Sequence, residues 1–310
     1  MQKDIANMDE KFENNKNTNE ELKTIENNNV EITNEKNTTK TEKKKKPFTI
    51  MGLTIHRILA YFIVYSVVGY IIETIFGIVT KGVWESRQSF LYGPFCSIYG
   101  LGATIMIMFL HKYKKQYTKL FIGGFILGSI VEYLVSFFGE MMLHVKWWDY
   151  SDMPLNINGR ICVYFSFFWG FLAIYLIASF NPNIDKLFNW IKTKISIKTL
   201  KTITVAITIF LFVDCVLTGM AMRLFLIRTI AKNDINVPNK EVVINIYNEI
   251  YDNEKVSNFI YKYWGDKKMI RTFPNIKVTD VDGNLVYMDM YLKDIQPYYL
   301  KIHEPLNKNK

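Results

Sequence analysis

Residues 58–79 read ILAYFIVYSVVGYIIETIFGIV, and this stretch decides the class of fold. A helix of about 20 mostly apolar residues is long enough to cross the hydrocarbon core of a bilayer. Glu73 is the only charged residue in this run. Four further apolar runs follow at about 90–110, 120–143, 161–180 and 202–222. The pattern predicts an all-α polytopic membrane protein with a five-helix transmembrane bundle.

The two ends of the chain differ from this apolar middle. Residues 1–47 are rich in Asn and Thr and hold ten Lys and ten Asp or Glu, so they cannot bury a core. Residues 229–310 contain no run that could span, but Asp282-Gly283 within 276–292 is typical of a hairpin, and 240–262 favours helix. We therefore expect a disordered cytoplasmic tail at 1–49, a five-span domain at 50–228 and a small extracytoplasmic α+β region at 229–310.

The positive charges predict an orientation. The net charge of +9 resides almost wholly in 48–228, where sixteen Lys or Arg face eight Asp or Glu. With the N-terminus inside, the inner flanks of the five runs carry fourteen cations and the outer flanks seven. This bias predicts a cytoplasmic N-terminus and an extracytoplasmic C-terminus. It also favours the lipid bilayer as the partner of the basic residues and argues against nucleic acid. The basic stretch 184–200 fits either an interfacial helix or a solvated loop.

Four carboxylates lie inside the predicted spans: Glu73, Glu132, Glu140 and Asp214. Each acidic group costs about 3 kcal/mol at the centre of a membrane helix, so these residues are expected to face the bundle interior. Their depths along the helices predict an acidic cavity that opens outward, with Arg160 at its mouth or Arg223 as the counter-charge. The alternative is a cluster of ion pairs that only fixes the register of the helices.

Two loop segments add candidate residues around this cavity. The predicted outer loop 144–160 contains Trp147, Trp148, Asp149 and Asn158, which fit either an aromatic anchor at the interface or a lid over the cavity. The second run contains Gly93-Pro94 and Tyr99-Gly100, which weaken a regular helix. Irregular backbone at membrane depth needs protein or water partners, so this segment could enter the same cavity from one side, with Tyr99 in its lining.

The sequence lacks the motifs of several kinds of catalytic and metal site. The three cysteines form no CxxC pair and are expected to pack, and the four histidines are not spaced as metal ligands. No phosphate-binding loop or hydrolase motif occurs, so no ATP hydrolysis by that route is expected on this chain. We expect no catalytic residue, no metal and no cofactor.

Three segments carry a resemblance to a known family. The run FLYGPFCSIYG at 90–100, together with WWDYS at 147–151 and NINGRIC at 156–162, resembles the signature of the type IV ABC-transporter permease family of bacterial membrane proteins. Glu73, Glu132 and Asp214 match acidic positions of that family. The resemblance implies a multi-pass transport subunit in the bacterial plasma membrane that works with a separate ATPase.

Three functions therefore remain open from the sequence. The first is a permease-like subunit with an outward-facing acidic cavity, for which a cationic solute or proton coupling would suit the carboxylates. The second is a membrane-embedded enzyme acting on lipid or cell-wall precursors, and the third is an accessory or sensor protein. A bundle of five helices is small, and pairing into a homodimer is one way to enclose a path through it.

Overall fold

The computed structural model describes residues 48–292, 294–295 and 299–304. The predicted disordered tail at 1–49 thus lies almost wholly outside the described residues. The described chain is mostly helical. The helices, in chain order, are α1 Ile55–Lys81, α2 Ser97–Leu110, α3 Tyr117–Leu143, α4 Val163–Tyr175, α5 Asn181–Lys194, α6 Ile197–Lys232, α7 Lys240–Tyr251, α8 Glu254–Trp264 and α9 Asp266–Thr272.

Four helical stretches in the described residues are long and apolar enough to cross a membrane: α1, α3, the continuous segment Val163–Lys194 and α6. They coincide with four of the five predicted runs. A five-residue π-helical turn, Leu176–Phe180, joins α4 to α5 within the third stretch. Ser196 separates α5 from α6, because its hydroxyl accepts a 3.1 Å hydrogen bond from the backbone amide of Thr199 and so caps the new helix.

The second predicted run, at 90–110, is helical only from Ser97 to Leu110. Fourteen residues reach about 21 Å at the helical rise, less than the roughly 30 Å of a bilayer core. Residues 86–96 before it form an irregular loop, as the Gly93-Pro94 pair favours. A count of five membrane helices therefore does not follow from helix length.

Short antiparallel strands tie the loops together. The pairs are β1 Thr49–Ile50 with β2 Leu53–Thr54, β3 Val83–Glu85 with β8 Tyr299–Lys301, β4 Asn156–Ile157 with β5 Ile161–Cys162, and β6 Lys277–Thr279 with β7 Leu285–Tyr287. The last pair is a hairpin whose turn contains Gly283 at φ +83°, where the sequence predicted it. The expected helix at 240–262 is present as α7 and α8.

Two apolar cores hold the described chain together. One lies among α1, α2, α3 and α4 and includes Tyr61, Met106 and Trp169. The other lies where the last turns of α6 meet the C-terminal helices and the hairpin, and it includes Phe225 and Met269. Because the second core joins α6 to the C-terminal region, that region is fixed at the same end of the bundle as the C-terminus of α6.

Small residues set the spacing of the bundle helices. A side chain at Gly100 of α2 would come within 2.7 Å of the carbonyl oxygen of Phe62 in α1. One at Gly124 of α3 would come within 2.8 Å of the carbonyl oxygen of Trp169 in α4. Close approach at small residues is a common way of packing membrane helices, because apolar lipid gives no hydrophobic drive for their association. This close packing brings the polar side chains described below within hydrogen-bonding distance.

Candidate functional site

Glu132 is the best-buried glutamate in the bundle. It lies in α3, and the residue is only 4% exposed. Its Oε2 accepts a 3.1 Å hydrogen bond from the indole Nε1 of Trp169 in α4, and its Oε1 accepts a 2.9 Å hydrogen bond from the hydroxyl of Tyr150. Both donors are neutral, so the carboxylate is solvated by the protein without being neutralised by a cation.

Glu73 of α1 is connected to the same group of residues. Its Oε1 accepts a 2.8 Å hydrogen bond from the hydroxyl of Tyr99, and the Tyr99 ring lies 5.6 Å from the Trp169 ring, centroid to centroid. The two carboxylates are thus linked through one aromatic pair. In the part of the chain that the structure describes, no lysine or arginine forms an ion pair with Glu73 or Glu132. We call Glu73, Tyr99, Glu132, Tyr150 and Trp169 the carboxylate network.

Tyr150 closes the network from the loop between α3 and α4. Its ring stacks on Phe165, with the centroids 4.7 Å apart. Burial raises the pKa of the Tyr150 hydroxyl, and the neighbouring Glu132 carboxylate raises it further. The hydroxyl therefore keeps its proton over the physiological range and remains a donor to Glu132.

An apolar cavity adjoins the Tyr99–Trp169 pair. It has a volume of about 260 Å³, and both Tyr99 and Trp169 belong to its wall. The rest of the lining comes from α1, α2, α4 and the π-helical turn, and it includes Ile72, Met106 and Phe180. π-Helical turns within α-helices are frequent at functional sites. Tyr99 and Trp169 thus line an apolar space and also donate hydrogen bonds to the two carboxylates.

Glu140 and Arg160 form a separate ion pair. Nη1 of Arg160 lies 2.7 Å from Oε2 of Glu140 and donates a 3.2 Å hydrogen bond to the hydroxyl of Ser136. The guanidinium also lies over the rings of Tyr133 and Phe137. Glu132, Ser136 and Glu140 are spaced by four residues and share one face of α3. The structure therefore joins Arg160 to Glu140 and not to Glu132.

The other candidates in the loop 144–162 serve mainly to shape it. Nε1 of Trp148 donates a 2.9 Å hydrogen bond to the carbonyl of Arg160, and Nδ2 of Asn158 donates one of 2.9 Å to the hydroxyl of Tyr133. Asp149 accepts from the Ser151 hydroxyl at 2.9 Å. The Trp147 ring packs where a side chain at Gly139 would lie. These contacts hold the loop against α3 and bring Tyr150 to Glu132.

Asp214 of α6 is 1% exposed and lies away from the carboxylate network. Its Oδ2 accepts a 3.1 Å hydrogen bond from the backbone amide of Tyr92. Thr218, one turn later, accepts a 2.8 Å hydrogen bond from the amide of Leu91 and donates to Oδ1 of Asp214. Asp214 and Thr218 thus supply the acceptors that the irregular loop 86–96 needs inside a membrane.

The far end of this loop is anchored on α1. The backbone amide of Cys96 donates a 2.8 Å hydrogen bond to the carbonyl of Ser66, near the middle of the helix. The loop therefore reaches into the bundle before α2 begins. Cys96 and Cys162 are buried as the sequence predicted, whereas Cys215 is exposed on the surface of the described chain.

Sequence reasoning did not find Trp169, and it included Tyr150 only as part of the WWDYS motif at 147–151. The signal for Trp169 was a side chain with one N–H donor inside an otherwise apolar run. Such a donor needs an acceptor when it is buried, and Glu132 supplies one. In the described residues there is no group of His, Cys, Asp and Glu that could hold a metal ion.

The membrane-length helices define a multi-pass membrane protein. Over residues 60–219 the chain matches the model of the family described as "Putative ABC-transporter type IV", and it belongs to that family. This confirms the resemblance drawn from the loop motifs. No curated protein matches the chain. No solved structure matches it either.

Proposed function

We propose that this chain is a permease-like membrane subunit of a transporter and that the carboxylate network is its solute or coupling site. One observation carries the proposal: Glu73 and Glu132 lie in membrane-length helices and accept hydrogen bonds from neutral donors. A carboxylate inside a membrane needs a counter-charge or a proton. A cationic solute or a transported proton would supply it.

The neighbouring cavity indicates the kind of solute. Its volume of about 260 Å³ is large enough for a small solute, and its wall is almost wholly apolar. A small amine or alkylammonium could place its apolar part in this cavity and its charge toward Glu73 or Glu132. The Tyr99–Trp169 pair contacts both the cavity and the carboxylates, so a change in the rotamers of this pair would open the cavity to the carboxylates. We propose that the aromatic pair is the gate.

The loop 86–96 and α2 would together make the fifth crossing of the membrane. The loop enters the bundle to the level of Ser66 and Asp214, and α2 continues from there to the opposite end. A half-length helix preceded by an irregular segment occurs in many transporters near the substrate site. With five crossings, a cytoplasmic N-terminus implies an extracytoplasmic C-terminal region. The three-part division at 1–49, 50–228 and 229–310 is part of this proposal.

The family and the distribution of positive charge indicate which partners this chain would have. An ABC-type transporter requires an ATPase, and this sequence contains no phosphate-binding loop. The inner end of the bundle would carry the lysines of 112–119 and 186–201, which form a basic surface for such a subunit. A homodimer would enclose a wider path than one copy can. The loop that carries Asp149, Trp147 and Trp148 would act as the lid, with the Glu140–Arg160 pair at its base.

The first experiment measures binding at the carboxylate network. The full chain in nanodiscs is titrated with tetraethylammonium by calorimetry, and Glu73→Gln and Glu132→Gln are compared with Asp152→Asn. Asp152 is an exposed carboxylate in the neighbouring loop, so it controls for loss of one negative charge. We expect binding by the wild type and the control and weak binding by the two glutamine variants. Equal binding by all four proteins would refute a role for the network in binding a cation.

The second experiment tests for the ATPase. The protein is purified in mild detergent from its own host, and the proteins that accompany it are identified by mass spectrometry. A stoichiometric ATPase would support the transporter subunit. Its absence under conditions that preserve other ABC transporters would favour a stand-alone enzyme or sensor.

A further inference from the structure

A second cleft lies at the end of the bundle that carries the C-terminal region. Its volume is about 870 Å³, and its walls are Tyr70 of α1 with β3 on one side and helices α8 and α9 on the other. Four cations line it: Lys262, Lys267, Lys268 and Arg271. The carboxylate network uses none of these residues, so the cleft is a different site.

The single carboxylate among the described lining residues does not offset this positive charge. It is Glu85, which is 8% exposed. Its Oε1 lies 2.7 Å from Nη2 of Arg87 and 3.2 Å from Nζ of Lys81, and it accepts a 3.0 Å hydrogen bond from Nδ2 of Asn275. Because Glu85 is already paired, it does not neutralise Lys262, Lys267 and Lys268, and these three lysines form no ion pair in the part of the chain that the structure describes. Such a cleft attracts an anion.

The cleft is also apolar along one side. Tyr70 lines it from α1, eleven residues before the helix ends at Lys81, which is about 16 Å along the helix axis. Trp84 of β3, 53% exposed, and Leu300 of β8, 62% exposed, continue this side toward the helix end. The lining therefore changes from aromatic within the span to cationic beyond it. A ligand that follows this wall has an apolar tail and an anionic head.

We propose that the cleft binds the phosphate headgroup of a net anionic phospholipid, with an acyl chain along Tyr70 and Trp84. Lysines near a membrane surface attract anionic headgroups, and hydrogen bonds from an ammonium group to phosphate oxygens are charge-assisted and strong. A free phosphate would use the same cations but would leave the apolar side of the cleft without a partner. The proposal does not depend on the transport function.

The lysines differ in their suitability for a test. Nζ of Lys268 donates a 3.2 Å hydrogen bond to the hydroxyl of Tyr92 and lies 4.2 Å from the centroid of its ring, so Lys268 also supports the loop 86–96. Lys262 and Lys267 are exposed on α8 and α9. Their replacement by glutamine should leave the fold intact. Lys240 and Lys255 are in the same region but outside the cleft lining, and their replacement controls for the loss of two charges. Nζ of Lys240 lies 2.6 Å from Oδ1 of Asp234, so melting in phosphatidylcholine alone also measures the effect of losing that ion pair.

The experiment measures the melting temperature of the full chain in nanodiscs of phosphatidylcholine, with and without phosphatidylglycerol at a fixed mole fraction. Wild type, Lys262→Gln/Lys267→Gln and Lys240→Gln/Lys255→Gln are compared. A separate arm adds inorganic phosphate at constant ionic strength to nanodiscs of phosphatidylcholine alone. Melting of each variant in phosphatidylcholine alone shows whether it folds as the wild type does.

We expect phosphatidylglycerol to raise the melting temperature of the wild type and the control, and the cleft variant to lose most of that rise. Replacement of two lysines near a membrane surface should weaken the apparent lipid affinity roughly tenfold or more. An equal rise in all three proteins, or an equal loss in both variants, would overturn the proposal. A full rise with inorganic phosphate alone would overturn the lipid assignment and indicate a site for free phosphate.

Discussion

Nε1 of Trp169 and Oε2 of Glu132 lie 3.1 Å apart and join α4 to α3 through a buried hydrogen bond. The indole can only donate, and the carboxylate is its acceptor. The same tryptophan forms part of the wall of the apolar cavity, so one side chain touches both parts of the proposed site. Its position explains how a change at the carboxylate could reach the cavity.

Replacement of Glu132 should separate its charge from its structural role. In Glu132→Gln the amide oxygen can accept from Trp169 while the amide nitrogen donates to the hydroxyl of Tyr150, so the fold should be retained. Glu132→Ala leaves the buried indole N–H without an acceptor and should cost about 1–3 kcal/mol. Thermal melting in detergent measures this difference. Equal destabilisation by both variants would show that the charge itself is needed for folding.

The carboxylate of Asp214 should hold the loop 86–96 against α6. In Asp214→Leu the amide of Tyr92 loses its acceptor, whereas Asp214→Asn keeps one oxygen. In a Cys162→Ser/Cys215→Ser background, Cys96 should react with N-ethylmaleimide slowly in the wild type and in Asp214→Asn. In Asp214→Leu it should react about tenfold faster or more, given the cost of an unsatisfied buried amide. Unchanged protection of Cys96 would contradict an anchoring role.

Adding a side chain at Gly124, where α3 contacts α4, should destabilise the fold. The β-carbon of Gly124→Ala would meet the carbonyl oxygen of Trp169 at 2.8 Å. We expect a loss of about 1–3 kcal/mol in the free energy of unfolding, as for overpacked cores. Gly219→Ala is the control, since its nearest neighbour would be Leu143 at an ordinary 3.7 Å. A melting temperature for Gly124→Ala equal to that of the control would show that α3 can move away from α4.

Lys277 should make stability depend on pH in the alkaline range. Burial lowers the pKa of its ammonium group below the usual 10.5, and the nearby Asp149 carboxylate opposes this effect in part. Between the lowered pKa and 10.5 the unfolded chain binds more protons than the folded chain, so stability rises with pH. Lys277→Met should therefore melt higher than the wild type at pH 7, and its advantage should shrink as the pH is raised through that window.

The control for this prediction is Lys255→Met, at an exposed lysine of α8. Its difference from the wild type should stay constant over the same pH range. A constant difference for Lys277→Met as well would contradict the assignment.

Much of the helical architecture could be predicted from the sequence. The runs near 58–79, 120–143, 161–180 and 202–222 appear as membrane-length helices, because a run of apolar residues is a local property that fixes where a helix can lie in a bilayer. The hairpin at Gly283 was also visible, since an Asp-Gly turn depends on the positive φ of one residue. Gly93-Pro94 predicted the irregular segment before Ser97. The sequence did not predict how far this loop enters the bundle.

The partners of the carboxylates depended on the tertiary structure. The sequence determined that Glu73, Glu132, Glu140 and Asp214 lie in apolar runs and need partners. Only the packing of the helices decided that Glu132 meets Trp169, thirty-seven residues away, and that Asp214 accepts from a loop more than a hundred residues earlier. A hydrogen bond acts over about 3 Å. Its partner is therefore chosen by the spacing and rotation of whole helices, which the small residues Gly100 and Gly124 set.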